Sequence, residues 1–214
     1  MFGMIVRTQW KWTRTLVLLA TVAGFAVPLA SLQSASSNSS PRGFVLTMQS
    51  FGVAYALLAA GVGLAVALAA WTHDQRGRHI YALSLPVSRA RYVLMRLGAG
   101  AIFLAPPTVA VLIGALVVSL FGSLPAGLHA YPVALTLRFA FAALVAFAVF
   151  FAIGSSTQRT AGIVLGVFAA LLLTQYVFSL VGVRYNLLSR VADLLFTAPG
   201  LLSVFSGRWT LVDA

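Results

Sequence analysis

Five long apolar stretches, nearly free of charge, are broken by one basic segment, Thr72–Arg96. The stretches are Thr15–Leu32, Phe44–Trp71, Leu97–Phe121, Thr136–Gly154 and Ala161–Val181. Each approaches or exceeds the roughly 20 apolar residues a helix needs to cross a bilayer core. Their interiors hold no Asp, Glu, Lys or Arg apart from Arg138, near one end of the fourth. A charge at mid-span costs about 2.5–3.5 kcal/mol on insertion scales, so empty interiors are the expected signature. Within lipid every backbone group must be paired internally, and long apolar runs achieve that as helices. The pattern predicts an all-α, polytopic transmembrane helix bundle, one transmembrane domain over residues 1–214.

Composition agrees. Hydrophobic residues make up 61% and charged residues 8%, against about 45–50% and about 25% in a soluble domain. Lys and Arg number 14 against 3 acidic residues, for a net charge of +11. The basic residues sit at span ends rather than in one patch, so anionic lipid headgroups are the expected counter-charge and no nucleic-acid partner is expected. There is no cysteine, which excludes disulfides, thiolate metal sites and Cys catalysis.

Orientation follows the Lys/Arg bias. With the N-terminus inside, cytoplasmic pieces carry Arg7, Lys11, Arg14, Arg76, Arg78, Arg89, Arg91, Arg96 and Arg159, and outer pieces carry Arg42, Arg138, Arg184, Arg190 and Arg208. This places a multi-pass protein in the plasma (inner) membrane with a cytoplasmic N-terminus. Ser-rich Leu32–Arg42 and Gly122–Leu135, with Pro125, Gly127 and Pro132, become outer loops. In residues 1–14, Arg7, Lys11 and Arg14 share one helical face opposite Phe2, Ile5, Val6 and Trp12, which predicts an interfacial helix. The same basic residues, with Ala30, Ser31, Ser34 and Ala35, also fit a signal peptide over residues 1–35. The polar lead with Trp10 and Trp12 favours a retained anchor. Leu187, Leu188, Val191, Leu194 and Leu195 form a stripe with Arg190 and Asp193 off it, so 187–205 reads as an amphipathic segment at the outer leaflet, broken at Pro199-Gly200.

Chemistry is sparse. The single lysine, Lys11, stands in no glycine-rich phosphate loop. His73, Asp74 and His79 cluster, but neighbours on a helix point about 100° apart, and no metal site is expected. No span interior carries a His or carboxylate for acid–base work or proton coupling. No catalytic residue is assigned.

One segment speaks to function. It contains Trp71-Thr-His-Asp74-Gln-Arg76-Gly77-Arg78, then Leu83-Ser-Leu85-Pro86-Val-Ser88-Arg89-Ala-Arg91, then Arg96 at the opening of the third span. It resembles the permease subunits of type-2 ABC exporters over roughly Met1–Val181. That family has an acidic residue after its second span and a glycine three positions on. A Leu-rich stretch follows, leading to Pro, a small apolar residue, Ser or Thr, and Arg, with a basic residue opening span three. Asp74, Gly77, Pro86, Ser88, Arg89 and Arg96 occupy these places, with Asp for the usual Glu and Arg for the usual Lys. Pro86 is suited to end one helix and Ser88 to cap the next near Arg89.

The resemblance implies that residues 72–96 form a coupling helix docked in a groove of a separate ABC ATPase subunit. Asp74, Gly77, Arg78, Pro86, Ser88, Arg89 and Arg91 would form that coupling surface. It also implies a second permease subunit, the same or a sister chain, and ATP and Mg on the partner ATPase, with no cofactor bound by this chain. The arginines equally suit lipid phosphate. In family members spans two and five line the contact between permease subunits. Gln49, Ser50 and Tyr55, with Thr174, Gln175 and Tyr176, are then candidates for a substrate path or subunit interface, or for plain helix–helix hydrogen bonding. Ala59, Gly61, Gly63 and Ala67 offer a small-residue packing surface. The family has six spans, and the sixth is expected where this sequence reaches Asp213-Ala214. The alternative function is a non-transporting assembly or regulatory membrane protein built on a permease framework.

Overall fold

The computed structural model describes residues 2–37, 40–76, 88–155, 158–180, 186–197, 200, 202–206 and 209–213. For 72–76, 89, 158–161, 164, 165, 168, 177, 179, 180, 187 and 188 it describes the backbone. The chain is overwhelmingly helical. In order it forms α1 (Phe2–Ser36), α2 (Pro41–Ser50), α3 (Gly52–Arg76), α4 (Arg89–Ile102), α5 (Ala105–Phe121), β1 (His129–Ala130), α6 (Pro132–Ser155), α7 (Gln158–Leu180), α8 (Leu187–Phe196), a 3-10 turn (Ser203–Phe205) and β2 (Val212–Asp213). Two compact units emerge, Met1–Phe151 with Arg208–Ala214, and Ala152–Gly207.

Four helical segments among the described residues are long and apolar enough to cross a membrane: Phe2–Ser36, Pro41–Trp71, Ala90–Phe121 and Pro132–Ser155. They match the first four apolar stretches of the sequence. Their outward faces carry large apolar side chains, among them Leu19, Val22, Leu57, Leu94, Leu120 and Phe121, the last 83% exposed. So much exposed apolar surface is what lipid, rather than water, accommodates.

The N-terminal helix departs from expectation. The sequence predicts an interfacial piece up to residue 14 and then a span; the structure has one continuous helix of 35 residues. Between Gly3 and Gly24 there is no Pro or Gly to break it. At 1.5 Å per residue it is about 52 Å long, well beyond the about 30 Å hydrocarbon core. Its packed face includes Val6 of the expected apolar face, and polar residues beside it. Gln9, Thr13, Val17, Gly24, Pro28, Ser31 and Ala35 form the buried stripe, while Phe2 and Trp12 are exposed. The helix also runs through half of the predicted Ser-rich loop, because Ser31 and Ser36 turn their hydroxyls back onto the carbonyls of Pro28 and Gln33.

Spans two and three each contain a joint. Phe51 separates α2 from α3, and Phe103-Leu104 separates α4 from α5. The second joint precedes Pro106-Pro107, whose missing N–H groups suit the first turn of α5. The N-terminus of α2 is capped by Ser40, whose hydroxyl oxygen accepts from the Gly43 N–H at 3.1 Å.

In the first unit α1 lies most extensively along α5 and then along α3. Val17, Val62, Val66, Phe103, Phe147 and Phe151 belong to one shared core. The predicted small-residue surface of span two divides. Ala59, Gly63 and Ala67, four residues apart, are buried, whereas Gly61 is exposed. A methyl group at Gly63 would lie 2.6 Å from the Phe147 backbone nitrogen and 2.7 Å from the Ala143 carbonyl oxygen, so α3 and α6 touch backbone to backbone there.

Residues 122–131 connect α5 to α6, with Gly127 at φ +86°, a left-handed turn that glycine adopts without strain. This connection also holds a feature the sequence reading did not include. His129 and Ala130 pair antiparallel with Asp213 and Val212. The C-terminal segment is thereby pinned to the start of α6, with the Tyr131 N–H donating to the Leu211 carbonyl at 2.8 Å.

In the second unit α7 occupies the fifth apolar stretch as a single helix of 23 residues. Helix α8 is capped by Asn186, which accepts from the Ser189 N–H at 3.1 Å, and ends at Phe196. Arg190 and Asp193 are exposed, as are Leu194 and Leu195 of the predicted stripe, while Val191 is half-buried.

The packing at Gly63 yields a test. Gly63→Ala should destabilise the folded chain by about 1–3 kcal/mol, the usual cost of overpacking. Gly61→Ala, where nothing lies within 4 Å, should leave stability unchanged. Thermal unfolding of the two variants in mild detergent reads the difference.

Candidate functional site

The basic connection between spans two and three starts from two helix ends. Helix α3 continues past Trp71 to Arg76, and α4 begins at Arg89. Gly77, Arg78 and Pro86, with the short helix expected before Pro86, lie outside the described residues. So do the side chains of Asp74 and Arg89. Ser88 stands at the N-cap of α4 as expected, and its carbonyl accepts from the Tyr92 N–H at 3.0 Å. Its hydroxyl makes no capping hydrogen bond, contrary to expectation. Ser88 and Arg91 are exposed.

Where the two stems meet, the structure holds a buried cation. Arg96 is 8% exposed. Its Nη1 donates to the Ala70 carbonyl at 2.5 Å. Its guanidinium lies 5.3 Å from the Trp71 ring centroid and 5.3 Å from that of Tyr92. Tyr92 and Arg96 are one helical turn apart, which puts both on the same face of α4. Ala70 and Trp71 present a carbonyl and an indole face near the end of α3. A helix carbonyl has two lone pairs, so the Ala70 oxygen can serve its own helix and Arg96 together. Trp71 in turn stacks on Phe151, with centroids 5.1 Å apart, and Phe151 on Phe147 at 5.4 Å. The stems of the connection are thereby joined to each other and to α6.

Burying a charge costs heavily unless hydrogen bonds replace its hydration. The Ala70 carbonyl and the two aromatic faces supply part of that here, and cation–π contacts strengthen as water is removed. Arg96 is therefore a mechanical joint between α3 and α4. In the sequence it reads as the basic residue that opens span three; its burial was missed. The available signal was the Tyr92–Arg96 spacing, with Trp71 closing the preceding span.

The polar residues assigned to a path or subunit interface fall into different settings. Gln49 is half-buried, and Ser50 is exposed with its hydroxyl returned to the Thr47 carbonyl at 2.7 Å. Tyr55 is 1% exposed and packed inside its own chain, and its hydroxyl makes no hydrogen bond among the described residues. That burial sets Tyr55 apart from Gln49 and Ser50 as a helix-packing residue. Gln175 is half-buried and Tyr176 is 61% exposed, both on α7 in the second unit. Thr174 returns its hydroxyl to the Ala170 carbonyl at 2.8 Å.

No protein-family model matches the chain, and neither does any curated protein or solved structure.

Replacing Arg96 should expose what the joint contributes. Arg96→Ala removes a charge-assisted hydrogen bond and two cation–π contacts and should cost about 2–4 kcal/mol of stability. Arg91→Ala, on the exposed face, should stay within about 0.5 kcal/mol of wild type. Unfolding midpoints in detergent, followed by tryptophan fluorescence, make the comparison.

Proposed function

We propose that this chain is the membrane-spanning permease subunit of an ATP-driven exporter of the type-2 ABC class, coupling ATP hydrolysis by a separate ATPase subunit to substrate export. The observation that carries the reading is the Arg96 joint. A coupling segment must pass a push from the cytoplasmic face into the spans. A flexible connection would absorb that push in its own bending. Here both stems are joined by Arg96, Ala70, Trp71 and Tyr92, so a force on residues 77–88 reaches α3 and α4 together.

In this reading α7 is a fifth span, the N-terminus faces the cytoplasm of a plasma (inner) membrane, and α8 lies at the outer leaflet. A second permease subunit completes the pathway, and ATP with Mg binds on the ATPase. Arg78, Arg89 and Arg91 supply cationic contacts to acidic side chains of the ATPase groove. Asp74, alone among arginines in the segment, fixes its local fold by ion pairing. Closure of the ATPase dimer moves the segment, and the two membrane halves rock against each other. This chain itself performs no covalent step.

The test is a pull-down of the tagged chain from native membranes in mild detergent. An ATPase subunit with a phosphate-binding loop should co-purify with wild type. Its recovery should fall at least tenfold with Arg89→Glu, with membrane insertion unchanged. Unchanged recovery with Arg89→Glu removes the docking role from that residue. A pull-down containing other membrane proteins and no ATPase overturns the exporter reading in favour of an assembly or regulatory role.

A further inference from the structure

Between α1 and α3 the first unit carries an open groove of about 200 Å³. Leu16 and Ala20 line it from α1, and Leu57, Gly61, Ala65 and Val66 from α3. Among the described residues its lining carries no polar side chain. Leu16 and Leu57 are exposed at its rims. Gly61 is exposed between them, and nothing lies within 4 Å of the place a methyl group there would take. The depth of the groove in a bilayer follows from α1. Arg14 is exposed and stands about 3 Å along the helix before Leu16, so the groove opens where the hydrocarbon begins. Trp12, one turn before Leu16 on the same face, is of the type that settles at headgroup depth. On α3 the lining runs from Val66 to Leu57, about 13.5 Å by helix rise, against about 15 Å for half a hydrocarbon core. Consecutive spans run in opposite directions, so the Val66 end lies on the Arg14 side. The groove therefore runs nearly the depth of one leaflet.

An apolar recess does not hold water, which needs about two to four polar partners. Left empty, it forfeits the contacts its lining atoms would make. Its small volume over that length admits one thin chain and not a second helix, which is about 10–12 Å across with its side chains. We infer that the groove seats one acyl chain of a phospholipid from the leaflet on the Arg14 side. The headgroup does not decide the seating, because the lining offers it no polar side chain. Gly61 is what admits the chain. A larger side chain there would enter the groove and leave the packed side of α3, set by Ala59, Gly63 and Ala67, untouched. Seating a chain requires neither an ATPase nor a second permease subunit.

The test uses the full chain in bilayers containing a phospholipid with a photoreactive group midway along one acyl chain. Peptide mass spectrometry after illumination should find residues 16–20 and 57–66 labelled about fivefold more than reference positions, the ratio that about 1 kcal/mol of added contact gives. Val109 and Ile113 on α5 and Leu144 on α6, all exposed large apolar residues, are the references. Gly61→Leu should bring the groove down to the reference level with the unfolding midpoint unchanged, and Gly61→Ala should fall between. The ratio should be the same for labelled phosphatidylglycerol and phosphatidylethanolamine; a ratio confined to one of them overturns seating by the chain. Even labelling of groove and reference positions in wild type overturns the proposal. So does a ratio that survives Gly61→Leu in a folded chain. A second copy as the occupant would appear as a dimer in native mass spectrometry that Gly61→Leu disperses, and that result also overturns it.

Discussion

Helices that meet in lipid gain little from burying apolar surface, because lipid tails are as apolar as leucine. What holds them is close contact, and close contact needs small side chains. The first unit is built on that constraint. Ala59, Gly63 and Ala67 let α3 approach the backbone of α6 around Ala143 and Phe147. Along α1 the buried line includes Gly24, Pro28, Ser31 and Ala35, and along α5 it includes Pro107, Ala110, Gly114 and Ala115. Large residues fall on both sides, with Tyr55, Phe139 and Phe147 buried and Leu19, Leu57 and Phe121 on the outward faces, where a bilayer would receive them. Serine and threonine hydroxyls on these helices are folded back onto their own helix carbonyls, as at Thr13, Ser31 and Thr108. That pairs these hydroxyls within their own helices, whereas the buried Gln9 amide group makes no hydrogen bond among the described residues.

Against this background Arg96 stands out. It is the buried charged side chain among the described residues, and it sits where the chain leaves and re-enters the bundle. Its position ties the described ends of α3 and α4 to each other. The proposed coupling role draws on that tie. The motif alone, a short run of Leu, Pro, Ser and Arg, says nothing about how force would travel.

The apolar stretches were plain in the sequence because length and the lack of charge are one-dimensional properties. Their order and approximate limits therefore carried over to the first four helical segments. What one dimension hides is direction. The reading grouped Gly61 with Gly63, yet on a helix two positions apart means nearly opposite faces. It set an interfacial apolar face for residues 1–14 by hydrophobicity and passed over Gln9 and Thr13, which the helix buries. The joint at Arg96 was hidden for the same reason, since sequence shows a basic residue at a span end but not whether it turns in or out. The strand pair between His129–Ala130 and Val212–Asp213 was beyond reach. Two residues carry no periodicity, and their partners are far apart in the chain.

That strand pair has a consequence for how the chain is made. The first unit comprises Met1–Phe151 and Arg208–Ala214, so residues 152–207 leave it and return to it. The ladder at His129 cannot form until all of that excursion has been synthesised and its far end brought back. Closing so long a loop is slow compared with forming local helices. During that interval Arg138 and the start of α6 lack the cover of Trp209. The first helices will have met before this strap arrives.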